Sequence, residues 1–202
     1  MCQINDISAV ILAGGLARRL QGVEKGLQEV AGKPLITHII ERLSPQICKI
    51  YLNINRLYEN YHQQYPAVPT YSDNLVGFQG PLSGILSGFQ HIESEYLLFV
   101  PCDTPFLPTN LLKKLSTVLR INQAQIAYAH DGERPHPTFA LIHRSVEKAL
   151  ADYLARGERR LLQFFHSQKS VAVDFSEQSC AFKNFNTPEE FTSGQISSIF
   201  CN

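Results

Sequence analysis

Ile7, Ala9, Val10, Ile11 and Leu12 form a nearly continuous apolar run that stops at two successive glycines, Gly14 and Gly15. So little polar alternation suits a strand buried on both faces of a parallel sheet. The two missing Cβ atoms allow a sharp turn in which backbone N–H groups can close on phosphate oxygens. Arg18, Arg19 and Lys25 follow within reach of such an anion. Taken alone, Gly-Gly after a strand is equally a plain tight turn, and the three basic residues a solvated face.

The rest of the chain alternates strands with helices. Pro34 is expected at a first helical position, followed by Leu35, Ile36, Ile39, Ile40 and Leu43 on one helical face. A strand is expected over 49–55, a short polar helix over 57–64 and a strand ending near Asp73. The glycine-rich GFQGPLSG then precedes a helix marked by Leu82, Ile85, Leu86 and Phe89. Further strands are expected over 96–101, 125–129 and 138–143, with helices carrying Leu111, Leu115 and Leu119, and Val146, Leu150, Tyr153 and Leu154. This order predicts an α/β fold of three layers, a mostly parallel sheet with helices on both faces and ligands at the carboxyl ends of its strands.

At 202 residues with 44% hydrophobic content, and with no composition break, the chain is expected to form one domain over 1–202. Eighteen basic residues balance eighteen acidic ones, so any polyanion site must be made locally, and neither nucleic acid nor an anionic membrane is favoured. The N-terminus lacks the basic and apolar regions of a signal peptide and no apolar run spans a bilayer, so a cytoplasmic location is expected. Five scattered cysteines without a CxxC pair read as reduced thiols.

Asp103, in Pro101-Cys102-Asp103-Thr104-Pro105, stands just past a buried strand. Magnesium takes one or two carboxylates together with substrate phosphates, so a single aspartate at this edge can serve it. As an isolated residue it would more commonly cap a helix or turn. Cys102 has no base beside it and reads as a packing residue. Asn53 interrupts an apolar strand end with an amide that can read a base edge or ribose, or merely form a turn; Asp73 shares that ambiguity. Gly84 and Gly88 lie on one helical face and are equally explained by close packing.

The loop is neither a Walker A motif, since Gly32-Lys33 is followed by Pro34, nor a GxGxxG fingerprint. In its LAGG, arginine pair, Gly22 and Lys25-Gly26-Leu27 it resembles the molybdenum cofactor guanylyltransferases. Gln21 and Glu24 depart from that family's usual glycine and aspartate. The resemblance continues in order through Asn53, Asp73, Gly80-Pro81, Asp103, the segment HDGERPHPTFAL with His136, Gly157-Glu158-Arg159-Arg160, and Asn184-Phe185-Asn186. Thr187, Pro188 and Glu190 also make a capping box, which explains those residues but not the two asparagines.

The resemblance implies a Rossmann-like nucleotidyltransferase fold and a reaction joining GTP to molybdenum-bearing molybdopterin, with Mg2+ as cofactor. It implies catalytic roles for Lys25, Asp103 and Arg19, with Asp103 on the metal. GTP would meet Leu12, Ala13, Gly14, Gly15, Lys25, Asn53, Asp73 and Asp103. Molybdopterin would meet Arg19, Gly80, Gly84, Arg160, Asn184 and Asn186. Transient contacts with other proteins of molybdenum cofactor assembly are implied as well. The nucleophile would be an already ionised phosphate, so positioning and charge neutralisation suffice without a side-chain nucleophile. Two other readings stay open: a CTP- or UTP-dependent nucleotidyltransferase acting on a sugar or alditol phosphate, and a non-catalytic nucleotide-binding regulator.

Overall fold

Strand β1 (Ile7–Leu12) is buried along its centre and accepts a parallel neighbour on each edge. This is the arrangement that an apolar run without alternation requires. The structure, a computed structural model, describes residues 6–15, 24–75 and 80–185. After β1 come the small antiparallel pair β2 (Glu29–Val30) and β3 (Lys33–Pro34), then α1 (Leu35–Leu43), β4 (Ile50–Asn53), α2 (Tyr58–Gln64) and β5 (Thr70–Tyr71). Helix α3 (Pro81–His91), β6 (Tyr96–Pro101), α4 (Leu111–Ile121), β7 (Ile126–His130) and β8 (Pro135–His143) follow. The described chain continues through α5 (Glu147–Ala155), α6 (Leu161–His166) and β9 (Ser170–Asp174) to a 3-10 segment over Ser176–Phe182.

The main sheet has seven strands in the order β5-β4-β1-β6-β8-β7-β9. Pairing is parallel except where β8 runs against β6 and β7. Alternate residues separate two cores. Ala9, Ile11, Leu98 and Val100 face Ile36, Ile39, Leu43, Leu111, Leu115 and Leu119 of α1 and α4. Val10, Leu97 and Phe99 face Leu82, Ile85, Phe89, Leu150, Tyr153, Phe164 and Phe165 of α3, α5 and α6. The three-layer, mostly parallel architecture expected from the sequence is therefore present. Among the described residues, no helix is long and apolar enough to cross a membrane. Cys48, Cys102 and Cys180 are free thiols.

Three expectations need correction. Pro34 is not the first helical residue: its ψ of 146° is extended, it pairs with Glu29 in the small hairpin, and α1 begins at Leu35, whose N–H donates to the Gln28 carbonyl. The strand expected over 49–55 covers only Ile50–Asn53: the chain bends at 55–56, where the Asn55 side chain bonds the backbone of Gly14 and Asp73. Strand β8 starts at Pro135, earlier than 138. There it pairs only with β7, beyond the last residue matched to β6, so the prolines leave no ladder bond unmade on the β6 side. The Thr187-Pro188-Glu190 capping box lies outside the described residues.

Candidate active site

In register, Leu12 of β1 lies beside Asn53 of β4 and Pro101 of β6, so three strand ends open on one edge. They form the floor of a cleft of about 490 Å³. Every residue assigned to the nucleotide from the sequence lines it: Leu12, Ala13, Gly14, Gly15, Lys25, Asn53, Asp73 and Asp103. Gly80 and Pro81 at the start of α3 complete one wall, with the positive end of an eleven-residue helix behind them. Pro101, Cys102 and Thr138 are further lining residues.

The Lys25 ammonium donates to Asp103 Oδ2 at 2.6 Å, across 78 residues of sequence. Asp103 is not a helix cap, since α4 begins at Leu111 with Asn110 before it. The other carboxylate oxygen accepts from Thr104 Oγ1 at 3.2 Å, and the same hydroxyl reaches Asn184 Oδ1 at 3.0 Å. The Asp103 carbonyl accepts the Phe185 N–H at 2.8 Å, which ties the chain after the 3-10 segment to this strand end.

Opposite, Asn53 is only 3% exposed and its amide donates to Asp73 Oδ1 at 2.8 Å, so it is a paired buried group rather than a turn former. Asn55, which sequence reasoning did not single out, takes the Asp73 N–H on Oδ1 at 2.8 Å and donates from Nδ2 to the Gly14 carbonyl at 2.9 Å. Its signal in the sequence was only a second amide close behind Asn53 at the strand end. The two loop glycines serve different ends. A Cβ on Gly14 would strike Asn55 Nδ2 and lie 3.0 Å from Asn53 Oδ1, whereas a Cβ on Gly15 would meet nothing within 4 Å. Gly14 makes room for asparagines, and only Gly15 is open on its Cβ side.

Gly84 plays a similar part from α3: a Cβ there would lie 2.6 Å from Asn53 Oδ1 and 3.0 Å from Leu12 Cδ2. It is buried and does not line the cleft, so its observed contact is the close packing that helical spacing allowed. Arg160 is exposed at the start of α6 and is not a lining residue either. Asn184 is exposed but reaches the site through Thr104. Arg18, Arg19, Gln21, Gly22 and Asn186 lie outside the described residues. His136 lies in β8 rather than in a loop and is satisfied there, 2.6 Å from Asp131 and stacked on Phe182.

Glu24, one of the departures from the family pattern, is 6% exposed and sits against Arg56 at 3.0 Å and the Tyr61 hydroxyl at 3.5 Å. Burial raises its carboxyl above the ordinary range, opposed by the Arg56 charge and both hydrogen bonds. The residue before Lys25 is thus anchored in the interior. Burial, with a smaller contribution from Asp103, pushes the Cys102 thiol up to about 12 against the opposing charge of Lys25. It is a protonated packing group at neutral pH and no nucleophile.

For magnesium, the described cleft offers hard oxygen in the Asp103 carboxylate, and no group of three or more histidine, cysteine, aspartate or glutamate side chains stands ready among the described residues. That donor set fits an ion whose shell is completed by water and substrate phosphate, and does not fit an all-protein cage.

The three-layer fold is shared with solved structures of low sequence identity. Molybdopterin-guanine dinucleotide biosynthesis protein A from Archaeoglobus fulgidus superposes with a TM-score of 0.76 at 22% identity, covering 95% of this chain and 98% of its own. A nucleotidyl transferase from Methanothermobacter thermautotroptrophicus superposes at 0.69 and 16% identity, covering 93% and 94%. The family it matches and its curated relatives make this fold a nucleotidyltransferase. Residues 9–171 match the MobA-like NTP transferase domain, and the chain belongs to that family. Among curated relatives, the molybdenum cofactor guanylyltransferase of Pasteurella multocida is 55% identical over 89% of this chain and 94% of its own length. That of Mannheimia succiniciproducens is 53% identical over 93% and 97%.

Proposed function

We propose that this protein transfers GMP from GTP to the terminal phosphate of molybdenum-bearing molybdopterin, giving the guanine dinucleotide form of the cofactor and pyrophosphate. One observation carries the reading: the Lys25–Asp103 pair at 2.6 Å stands in the same cleft as the Gly14–Gly15 turn and the Asn53–Asp73 pair. In a chain so similar to proteins named molybdenum cofactor guanylyltransferase, these groups suit the two ends of a nucleoside triphosphate.

In this reading Asn53 and Asp73 hold the nucleoside, while Leu12, Ala13, Gly14 and Gly15 follow the phosphates with their backbone. A phosphate oxygen of molybdopterin forms a bond to the α-phosphorus as the bond to the bridging oxygen breaks and pyrophosphate leaves. The attacking oxygen is already ionised, so no protein group has to remove a proton. Lys25 neutralises charge on the transferred phosphoryl group, and Asp103 would hold Mg2+, which supplies charge compensation when bound. Arg19, Asn184 and Asn186 are assigned to molybdopterin with Gly80 on the shared wall, and Arg160 completes that assignment on the family resemblance, while Gly84, buried outside the cleft lining, serves packing. The cytoplasm is the proposed place of action, with transient contacts to other assembly proteins.

The test is incubation of the purified protein with labelled GTP, CTP or UTP, each with Mg2+ and with or without molybdopterin. GTP is expected to be consumed only when molybdopterin is present. Turnover of CTP or UTP with a sugar phosphate would replace this reading.

A further inference from the structure

One side chain bridges the cleft's two ends, in addition to the Ala13 N–H to Asn53 C=O bond of 2.9 Å beside the β1–β4 ladder. Asn55 grips the backbone of Asp73 with its carbonyl oxygen and the backbone of Gly14 with its amide nitrogen, at 2.8 and 2.9 Å. Asn53 grips the side chain of the same Asp73. Asn53 is the last residue of β4, held by the sheet, and Asn55 stands two residues past it. Because a trans peptide sets its N–H opposite its C=O, holding the Gly14 carbonyl on Asn55 turns the Gly15 N–H away from Asn55. Gly14 must be glycine for this contact to form, since any Cβ there would occupy the place of Asn55 Nδ2.

We propose that Asn55 is a positioning residue that fixes the distance between the nucleoside end of the cleft, at Asn53 and Asp73, and its phosphate end, at Gly14 and Gly15. This rests on the nucleotide reading above and goes beyond it, because Asn55 does not line the cleft and acts through Asp73 and Gly14. A ligand spanning both ends gains from holding them at one spacing; a fragment that occupies one end gains nothing.

That difference supplies the readout. Calorimetric dissociation constants for GTP, guanosine and pyrophosphate, with Mg2+ present, are compared between the unaltered protein and Asn55→Ala, with melting recorded on the same preparations. Two lost hydrogen bonds predict a GTP affinity about 10- to 100-fold weaker, while guanosine and pyrophosphate each stay within roughly threefold because neither spans the cleft. Asn55→Ser, whose side chain is too short to reach both backbones, is expected to show the same pattern and serves if Asn55→Ala does not fold. GTP affinity unchanged within about twofold, or fragments weakened by the same factor as GTP, would overturn the proposal, since a merely structural asparagine loosens all three ligands alike. If CTP binds more tightly than GTP, the guanylyl reading falls, and CTP with cytidine then probes Asn55 by the same criterion.

Discussion

Asp103 and Asp131 both follow buried strands, β6 and β7, that end on the same edge of the sheet, yet the two carboxylates live differently. Asp131 finds its partners within five residues: His136 at 2.6 Å and the N–H groups of Glu133 and Arg134 at 2.9 and 2.8 Å. Burial would raise its pKa, but these donors together hold it well below the usual carboxylate range. Asp103 takes its cation from a loop 78 positions away, and both members of that pair line the cleft. A strand-end aspartate satisfied by its own turn is a closing device. One whose partner comes from a different loop can exchange that partner for a ligand.

The largest expected effect separates these roles. Asp103→Asn should cut Mg2+-dependent turnover by at least roughly 100-fold, the scale of removing one electrostatic contact made at the transition state, while melting stays near that of the unaltered protein. A folding defect with normal specific activity would make Asp103 another Asp131. Next, Lys25→Ala removes the borrowed cation. Charge-assisted contacts of about 1.5–3 kcal/mol predict a rate lower by roughly 10- to 100-fold in steady-state assays, with the fold intact by circular dichroism.

Asp131→Ala should do the reverse, sparing turnover and costing about 1.5–3 kcal/mol in denaturant unfolding. Its folded pKa lies below the ordinary 3.8, so the stability it contributes is complete above that value and is lost as pH falls through the folded pKa. Acid unfolding curves of the variant should therefore converge with those of the unaltered protein at low pH, part as pH rises toward 3.8, and stay a constant distance apart above about pH 4. The smallest effect is at Cys102: as a protonated packing thiol on the cleft wall, its change to alanine should alter turnover by less than about twofold.

What the sequence made legible follows the same division. β1 and β6 were readable because strands buried on both faces need unbroken apolar runs, and Gly14, Gly15, Asn53, Asp73 and Asp103 were readable as polar or glycine positions where such runs stop. β9 was not, because only Val173 of its five residues is buried and its place is set by backbone pairing to β7. The β2–β3 hairpin and α6 are too short to carry a period. Pairings were hidden altogether. Nothing local says that Asn55 will meet Gly14 across 41 residues or that Glu24 will be buried against Arg56, since those contacts exist only once the parallel sheet has brought three loops to one edge.

The contrast between the two aspartates is tested most directly by calorimetric titration of GTP, with and without Mg2+, into the unaltered protein, Asp103→Asn and Asp131→Asn. The account predicts Mg2+-enhanced GTP binding in the unaltered protein and in Asp131→Asn, and its loss in Asp103→Asn. Equal enhancement in all three, or loss in Asp131→Asn alone, would contradict it.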